Sequence, residues 1–112
     1  IPGSDTTLEA QIERIISQRH PVNLVFVPIH QMAAELGISS QTLHRRLKDS
    51  ATSYQKIKDN LRREVAIQKL VNERLSVETV AEIVGFTESR SFTRAFKHWT
   101  GLTPREYCKR ES

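Results

Sequence analysis

Two segments of this chain repeat one pattern, in which an apolar helical stretch ends at a glycine and a second helix with a basic outer face follows. The matched residues are 34–39 with 82–87, 43–48 with 92–97, and 51–53 with 101–103. The offset between the copies grows from 48 to 50 in single steps, as expected from single insertions in the turn and at the end of the second helix. The pairing predicts two diverged helix-turn-helix units joined by a helix.

Apolar spacing, capping residues and helix breakers predict seven helices. They cover about residues 7–18, 29–36, 41–48, 53–72, 76–84, 89–99 and 103–109. Residues 6–9 spell a capping box for the first helix and residues 103–106 one for the seventh, and Ser39 or Ser40 is expected to cap the third. Residues 22–27 are expected to form an extended connector packed on the core, because no partner strand is apparent. The apolar positions of the fourth helix drift across two stripes, as in a helix that contacts two bodies.

These elements predict an all-α fold with two helix-turn-helix subdomains joined by a long central helix. Residues 6–52 are expected to form the first subdomain, residues 53–73 the linker helix and residues 74–112 the second subdomain. The chain begins Ile-Pro-Gly-Ser, so we interpret residues 1–5 as a tag or linker that precedes a piece of a longer protein.

The composition limits the classes of function. The chain has 112 residues, of which 38 % are apolar, which is enough for a modest core but not for a large enclosed cavity. A single cysteine excludes a disulfide within one chain. No apolar run approaches the roughly 18 residues of a membrane span, and no signal peptide is visible. We therefore expect a cytoplasmic protein without a membrane partner.

The positive charge is concentrated in the second copy of the repeat. The net charge is +4, but residues 1–36 contain two arginines against four carboxylates, whereas residues 89–110 contain six basic residues against one glutamate. Such a local excess indicates a polyanionic partner.

The second helix of each copy presents polar side chains on the face opposite its apolar stripe, which is the layout of a helix that enters the major groove of DNA. Arginine pairs with guanine and glutamine with adenine through two hydrogen bonds each. We expect the following residues to contact bases: Gln41, His44, Arg45, Ser89, Arg90, Thr93 and Arg94. We expect these to contact phosphates: Ser39, Ser40, Arg46, Lys48, Ser91 and Lys97. The amides that begin the third, sixth and seventh helices are also suited to phosphates.

Other interpretations are weaker. A basic helix face is usually only solvated. The alternative hypothesis is a helical module that binds an acidic protein. Neither interpretation explains why the outward positions match between the two copies. The four histidines lack metal-ligand spacing, the aromatic residues of the second copy fit a core, and no phosphate loop, nucleophile or carboxylate pair indicates an enzyme. We expect neither a metal nor a cofactor.

The segments Ile83-Val-Gly-Phe86, Ser91-Phe-Thr-Arg-Ala-Phe-Lys97 and Gly101-Leu-Thr-Pro104 resemble the signature of the AraC/XylS transcriptional regulators. The resemblance extends back through residues 36–47 and covers about residues 6–109. It implies a homeodomain-like, seven-helix C-terminal DNA-binding domain with two helix-turn-helix units, which controls bacterial transcription.

The resemblance further implies that the base-contacting positions named above are those of the two recognition helices. By the same resemblance, an N-terminal effector or dimerisation domain is missing from this chain, and contact with RNA polymerase is expected. The target promoter, the effector and the direction of regulation stay open.

Overall fold

A computed structural model describes residues 7–111 of the chain, and within them it has seven helices and no strand. The helices are α1 (Leu8–Gln18), α2 (Ile29–Glu35), α3 (Ser40–Asp49), α4 (Tyr54–Ile67, continued by a π-helical segment, Gln68–Asn72), α5 (Val77–Ile83), α6 (Ser89–Thr100) and α7 (Pro104–Glu111). The predicted all-α fold is confirmed. The interpretation of residues 1–5 as a tag lies outside the described residues.

The described chain divides into two compact units. The first contains residues 7–21 and Val25–Leu61, and the second contains Val22–Leu24 and residues 62–111. The first unit has an aliphatic core, whose most buried side chains are Ile12, Ile16, Met32, Leu43, Leu47 and Ile57. The hydroxyl group of Tyr54, at the start of α4, donates to the carbonyl oxygen of Val27 at 2.6 Å.

The turn between α2 and α3 joins two short helices through Gly37, whose φ is 75°. The amide of Ile38 donates back to the carbonyl of Ala33 at 3.0 Å, which closes the turn. Of the two serines expected to cap α3, it is Ser39 that does so, because its hydroxyl accepts from the amide of Thr42 at 3.1 Å.

The second unit repeats this turn and builds its core from rings. Gly85 has a φ of 92°, and the amide of Phe86 donates to the carbonyl of Ala81 at 2.8 Å. Phe92 and Phe96 are fully buried, and their ring centroids lie 5.8 Å apart. Aromatic residues therefore occupy positions that leucines occupy in the first unit.

The linker helix α4 is not regular to its end, contrary to the prediction of one helix to Asn72. Its last turn is π-helical, and the amide of Glu73 donates to the carbonyl of Gln68, five residues earlier, at 3.2 Å. Within the same unit, the thiol of Cys108 lies 3.8 Å from the carbonyl oxygen of Leu70.

The predicted apolar drift along α4 is present. Ile57 and Leu61 are buried and belong to the first unit, and Ala66 and Leu70 are buried and belong to the second. One helix thus contributes to both cores.

Three further expectations need correction. The side chain that caps α1 is that of Thr7, which accepts from the amide of Ala10 at 3.1 Å. In the connector, Leu24 is buried but Val22 is 56 % exposed, so only part of the connector packs on a core. Helix α7 continues to Glu111 instead of ending near residue 109.

Candidate nucleic-acid interface

The outer face of α3 forms one wall of an open concavity of about 460 Å³ in the first unit. Because Leu43 and Leu47 are buried, the helix turns its polar side chains outward. The residues that line this first concavity are Gln41, His44, Arg45, Lys48, Thr52 and Ser53. Four of the residues expected to contact DNA from the first helix-turn-helix therefore share one surface.

The outer face of α6 lines a second, larger concavity of about 830 Å³ in the second unit. Its floor is α6, and the starts of α5 and α7 form its sides. The lining residues are Ser76, Val77, Glu78, Ser89, Arg90, Thr93, Arg94, Lys97, Thr103, Pro104 and Arg105. All four predicted base-contacting residues of α6, together with Lys97, lie in this second concavity.

The two concavities use equivalent positions. Helices α3 and α6 begin at residues 40 and 89 and bury equivalent pairs, residues 43 and 47 in one and 92 and 96 in the other. The equivalent lining residues are Gln41 with Arg90, His44 with Thr93, Arg45 with Arg94, Lys48 with Lys97, and Ser53 with Thr103. The internal repeat seen in the sequence is thus a repeat of one surface.

Both surfaces carry positive charge. Arg45 and Lys48 line the first concavity and no carboxylate does so, whereas four cationic side chains and the single carboxylate of Glu78 line the second. Within residues 7–111, the guanidinium groups of Arg45, Arg90 and Arg94 form no ion pair. A polyanion could therefore pair with these groups without first breaking an internal salt bridge.

The start of α7, at the side of the second concavity, is held by the predicted capping box. The amide of Thr103 donates to Glu106 Oε1 at 2.9 Å, and the amide of Glu106 donates to Thr103 Oγ1 at 3.2 Å. The hydrogen bond from the Thr103 amide is the main cause that lowers the pKa of Glu106. The capping box thereby fixes the backbone position of the neighbouring Arg105.

Four of the predicted phosphate-contacting residues do not line either concavity: Ser39, Ser40, Arg46 and Ser91. The hydroxyl of Ser39 is engaged in the α3 cap, where it also donates to Thr42 Oγ1 at 2.9 Å. Ser40 and Ser91 are half-buried, and Arg46 is exposed.

Sequence reasoning missed two contributors to the second unit. Arg105 lines the second concavity, as Lys97 does; the alignment of Ser53 with Thr103 could have indicated it, because both residues start the helix after a recognition helix. Arg62 donates from Nε to the carbonyl of Val84 at 3.2 Å, and its guanidinium lies 5.3 Å from the ring centroid of Phe86. No local pattern predicts a contact across this sequence separation.

No helix in the part of the chain that the structure describes is long and apolar enough to cross a membrane.

Comparison with known proteins gives one consistent family. The model of a helix-turn-helix domain family matches residues 32–110, more than half of the chain. The ornithine utilization regulator of Pseudomonas aeruginosa is 38 % identical over 82 residues, which cover 73 % of this chain and 24 % of that protein. The chain therefore spans about a quarter of the length of such curated relatives.

Solved structures agree. The transcriptional regulator CdpR from Pseudomonas aeruginosa matches with a TM-score of 0.70 and 38 % identity over 76 % of this chain and 27 % of that one. A DNA-binding transcriptional dual regulator from Escherichia coli K-12 matches with a TM-score of 0.81 and 25 % identity, over 92 % of this chain and 90 % of that one. These relatives are transcriptional regulators rather than enzymes. The chain therefore belongs to the AraC family of bacterial transcriptional regulators and carries their helix-turn-helix DNA-binding domain.

Proposed function

We propose that this domain binds double-stranded DNA sequence-specifically by inserting α3 and α6 into two adjacent major grooves. The observation that carries the proposal is the pair of concavities, which present equivalent outward residues from two helices of the same phase. A surface helix that is only solvated has no reason to repeat its outward positions.

The roles of individual side chains follow from their chemistry. Gln41, His44 and Arg45 of α3, and Ser89, Arg90, Thr93 and Arg94 of α6, would reach base edges. Arginine and glutamine make the most selective of these contacts, because each can form two hydrogen bonds with one purine. The threonine methyl group suits the methyl group of thymine.

Phosphates would be contacted around these helices. Lys48 and Lys97, one turn further along α3 and α6, lie within the concavities and suit this role as point charges. Ser39, Ser40, Arg46 and Ser91 are proposed for the same role at the edges of the recognition helices. Such contacts position the protein without reading sequence.

The linker supports docking in adjacent grooves. A helix of about 20 residues is about 30 Å long, and successive major grooves on one side of B-DNA lie about 34–36 Å apart. With residues 53–73 as the linker, one chain would read two half-sites about one turn apart, as a dimeric helix-turn-helix protein does with two chains.

The whole protein is proposed to follow its relatives. Because the chain spans only about a quarter of their length, an N-terminal effector or dimerisation domain is proposed to accompany it. Control of transcription from a promoter would place the protein in the cytoplasm, in contact with RNA polymerase.

Selection of random duplex DNA on the purified domain, repeated at two salt concentrations, tests this function. The proposal predicts two enriched sequence blocks with centres about one helical turn apart. A single block would mean that only one helix reads bases. No enrichment above non-specific binding would contradict the proposal and favour an acidic protein partner.

A further inference from the structure

The two recognition helices differ at one outward position where the difference has a clear chemical meaning. Gln41 and Arg90 are the second residues of α3 and α6. Each lies two residues before the first fully buried side chain of its helix, Leu43 in one and Phe92 in the other. Both are exposed and line their concavities, so they occupy the same place on the two surfaces.

Four residues further along, the two helices carry the same side chain. Arg45 and Arg94 have the same spacing from the buried residues, and each lines its concavity. Because the phase of each helix is fixed by its buried pair, residues at equivalent positions would meet equivalent bases. The pair of arginines is therefore an internal reference for the pair that differs.

Glutamine and arginine prefer different purines. Glutamine forms two hydrogen bonds with N6 and N7 of adenine, whereas arginine forms two with O6 and N7 of guanine. Since arginine has only donors, it cannot accept a hydrogen bond from the amino group of adenine. One change of side chain at this position therefore changes which purine is bound.

We propose that the domain recognises two related but unequal half-sites, which share a guanine read by Arg45 and Arg94 and differ at the base pair read by Gln41 and Arg90. The half-site of the first unit has adenine at that base pair, and the half-site of the second unit has guanine. The proposal rests on the proposed function, since it names the DNA sequence class that the same surfaces select.

Exchange of the two side chains tests the proposal. Random duplex DNA is selected on the wild-type domain, on Gln41→Arg and on Arg90→Gln, each at the same salt concentration. Gln41→Arg is expected to change adenine to guanine at one position of one block, and Arg90→Gln to change guanine to adenine at one position of the other. Each change should invert the preference between the two purines, with a discrimination of about 5- to 150-fold.

The controls are built into the design. The guanines assigned to Arg45 and Arg94 should stay enriched in every selection. Both substituted side chains are exposed, so the thermal unfolding of both variants should match that of the wild type. The two exchanges are independent, so either variant tests the proposal alone.

The outcomes separate this proposal from the function on which it rests. The assignment of Gln41 and Arg90 is overturned if the wild type selects two blocks that respond to neither substitution, or two blocks that both change with one substitution. Either result would leave intact the proposal that both recognition helices read bases. No enriched block in the wild type would overturn both.

Discussion

The two helix-turn-helix units have the same backbone geometry at their turns but different cores. Both turns carry a glycine with positive φ, 75° at Gly37 and 92° at Gly85, and both close with an amide that donates back to the first helix. The first unit buries aliphatic side chains, whereas the second buries Phe92 and Phe96. The turn geometry and the phase of the recognition helix are therefore independent of what fills the interior.

The helix ends differ as well. Helix α3 is capped by Ser39, whereas Glu88, before α6, makes no side-chain cap hydrogen bond. After the recognition helices, Ala51 and Gly101 occupy the equivalent left-handed position, with φ of 58° and 85°. The first unit therefore has the more favourable residue at the N-terminal end of its recognition helix, and the second unit has the more favourable residue at the C-terminal end.

The largest effect is expected in the cores. Phe96→Ala should destabilise the domain by about 3–5 kcal/mol and Leu47→Ala by about 2–5 kcal/mol. The loss at Phe96 should be the larger, because its ring also contacts Trp99 and Tyr107, with centroids 6.4 and 5.4 Å away. Urea unfolding of both variants measures the difference, and a greater loss for Leu47→Ala would contradict the importance of the aromatic cluster.

Substitution of the arginines on the two surfaces should affect base reading, whereas substitution of the lysines should affect phosphate contact. Arg45→Ala and Arg94→Ala should each cost about 1–3 kcal/mol of binding free energy and relax the preference at one base pair. Lys48→Ala and Lys97→Ala should weaken binding to all sequences alike and reduce the slope of log affinity against log salt by about 1. Fluorescence anisotropy with cognate and scrambled duplexes distinguishes the two effects; identical behaviour of all four variants would show that the division is wrong.

The left-handed positions should respond in opposite directions. Gly101→Ala should destabilise the domain by about 1 kcal/mol, because a side chain is strained at positive φ. A Cβ atom there would meet no heavy atom within 4 Å, so the cost comes from the backbone alone. Ala51→Gly should relieve the same strain and stabilise the domain by a similar or smaller amount. Thermal unfolding tests both, and destabilisation by both substitutions would contradict the equivalence of these turns.

The smallest expected effect concerns the helices that follow the recognition helices. The pKa of Glu106 is lowered in the folded domain, mainly by the hydrogen bond from the Thr103 amide. The stabilising effect of the Glu106 carboxylate is therefore present above its unfolded pKa, near 4.5. This effect is lost as the pH falls through the lower folded pKa. Glu106→Gln should reduce stability near neutral pH but not in acid.

Lys56 occupies the position equivalent to Glu106 in the first unit, where its amide donates to Ser53 Oγ at 3.1 Å. Lys56→Gln removes no carboxylate and is the matched control. A Glu106→Gln variant whose destabilisation is the same at acid and neutral pH would argue against the capping-box carboxylate as its cause.

Sequence reasoning succeeded where the information is local. Helix positions follow from apolar spacing, and the outward residues of α3 and α6 follow from the buried pairs within each helix. The capping box of Thr103 and Glu106 has a four-residue signature, and the structure has both of its hydrogen bonds.

The features that were missed depend on contacts between distant residues. The hydrogen bond from Tyr54 to Val27 and that from Arg62 to Val84 join residues 27 and 22 positions apart. The π-helical end of α4 also has no local signature, because residues 68–72 contain neither proline nor glycine. Arg105 was missed for a related reason, since it lies on α7 and lines a surface that α7 shares with α5 and α6.

The proposed function requires one chain to read two major grooves on one side of the duplex. It is tested most directly by insertion of about 5 base pairs, half a helical turn, between the two selected blocks. This insertion should reduce affinity about as much as scrambling one block does, because one recognition helix then faces the wrong side of the DNA. Unchanged affinity after the insertion would contradict simultaneous reading by α3 and α6.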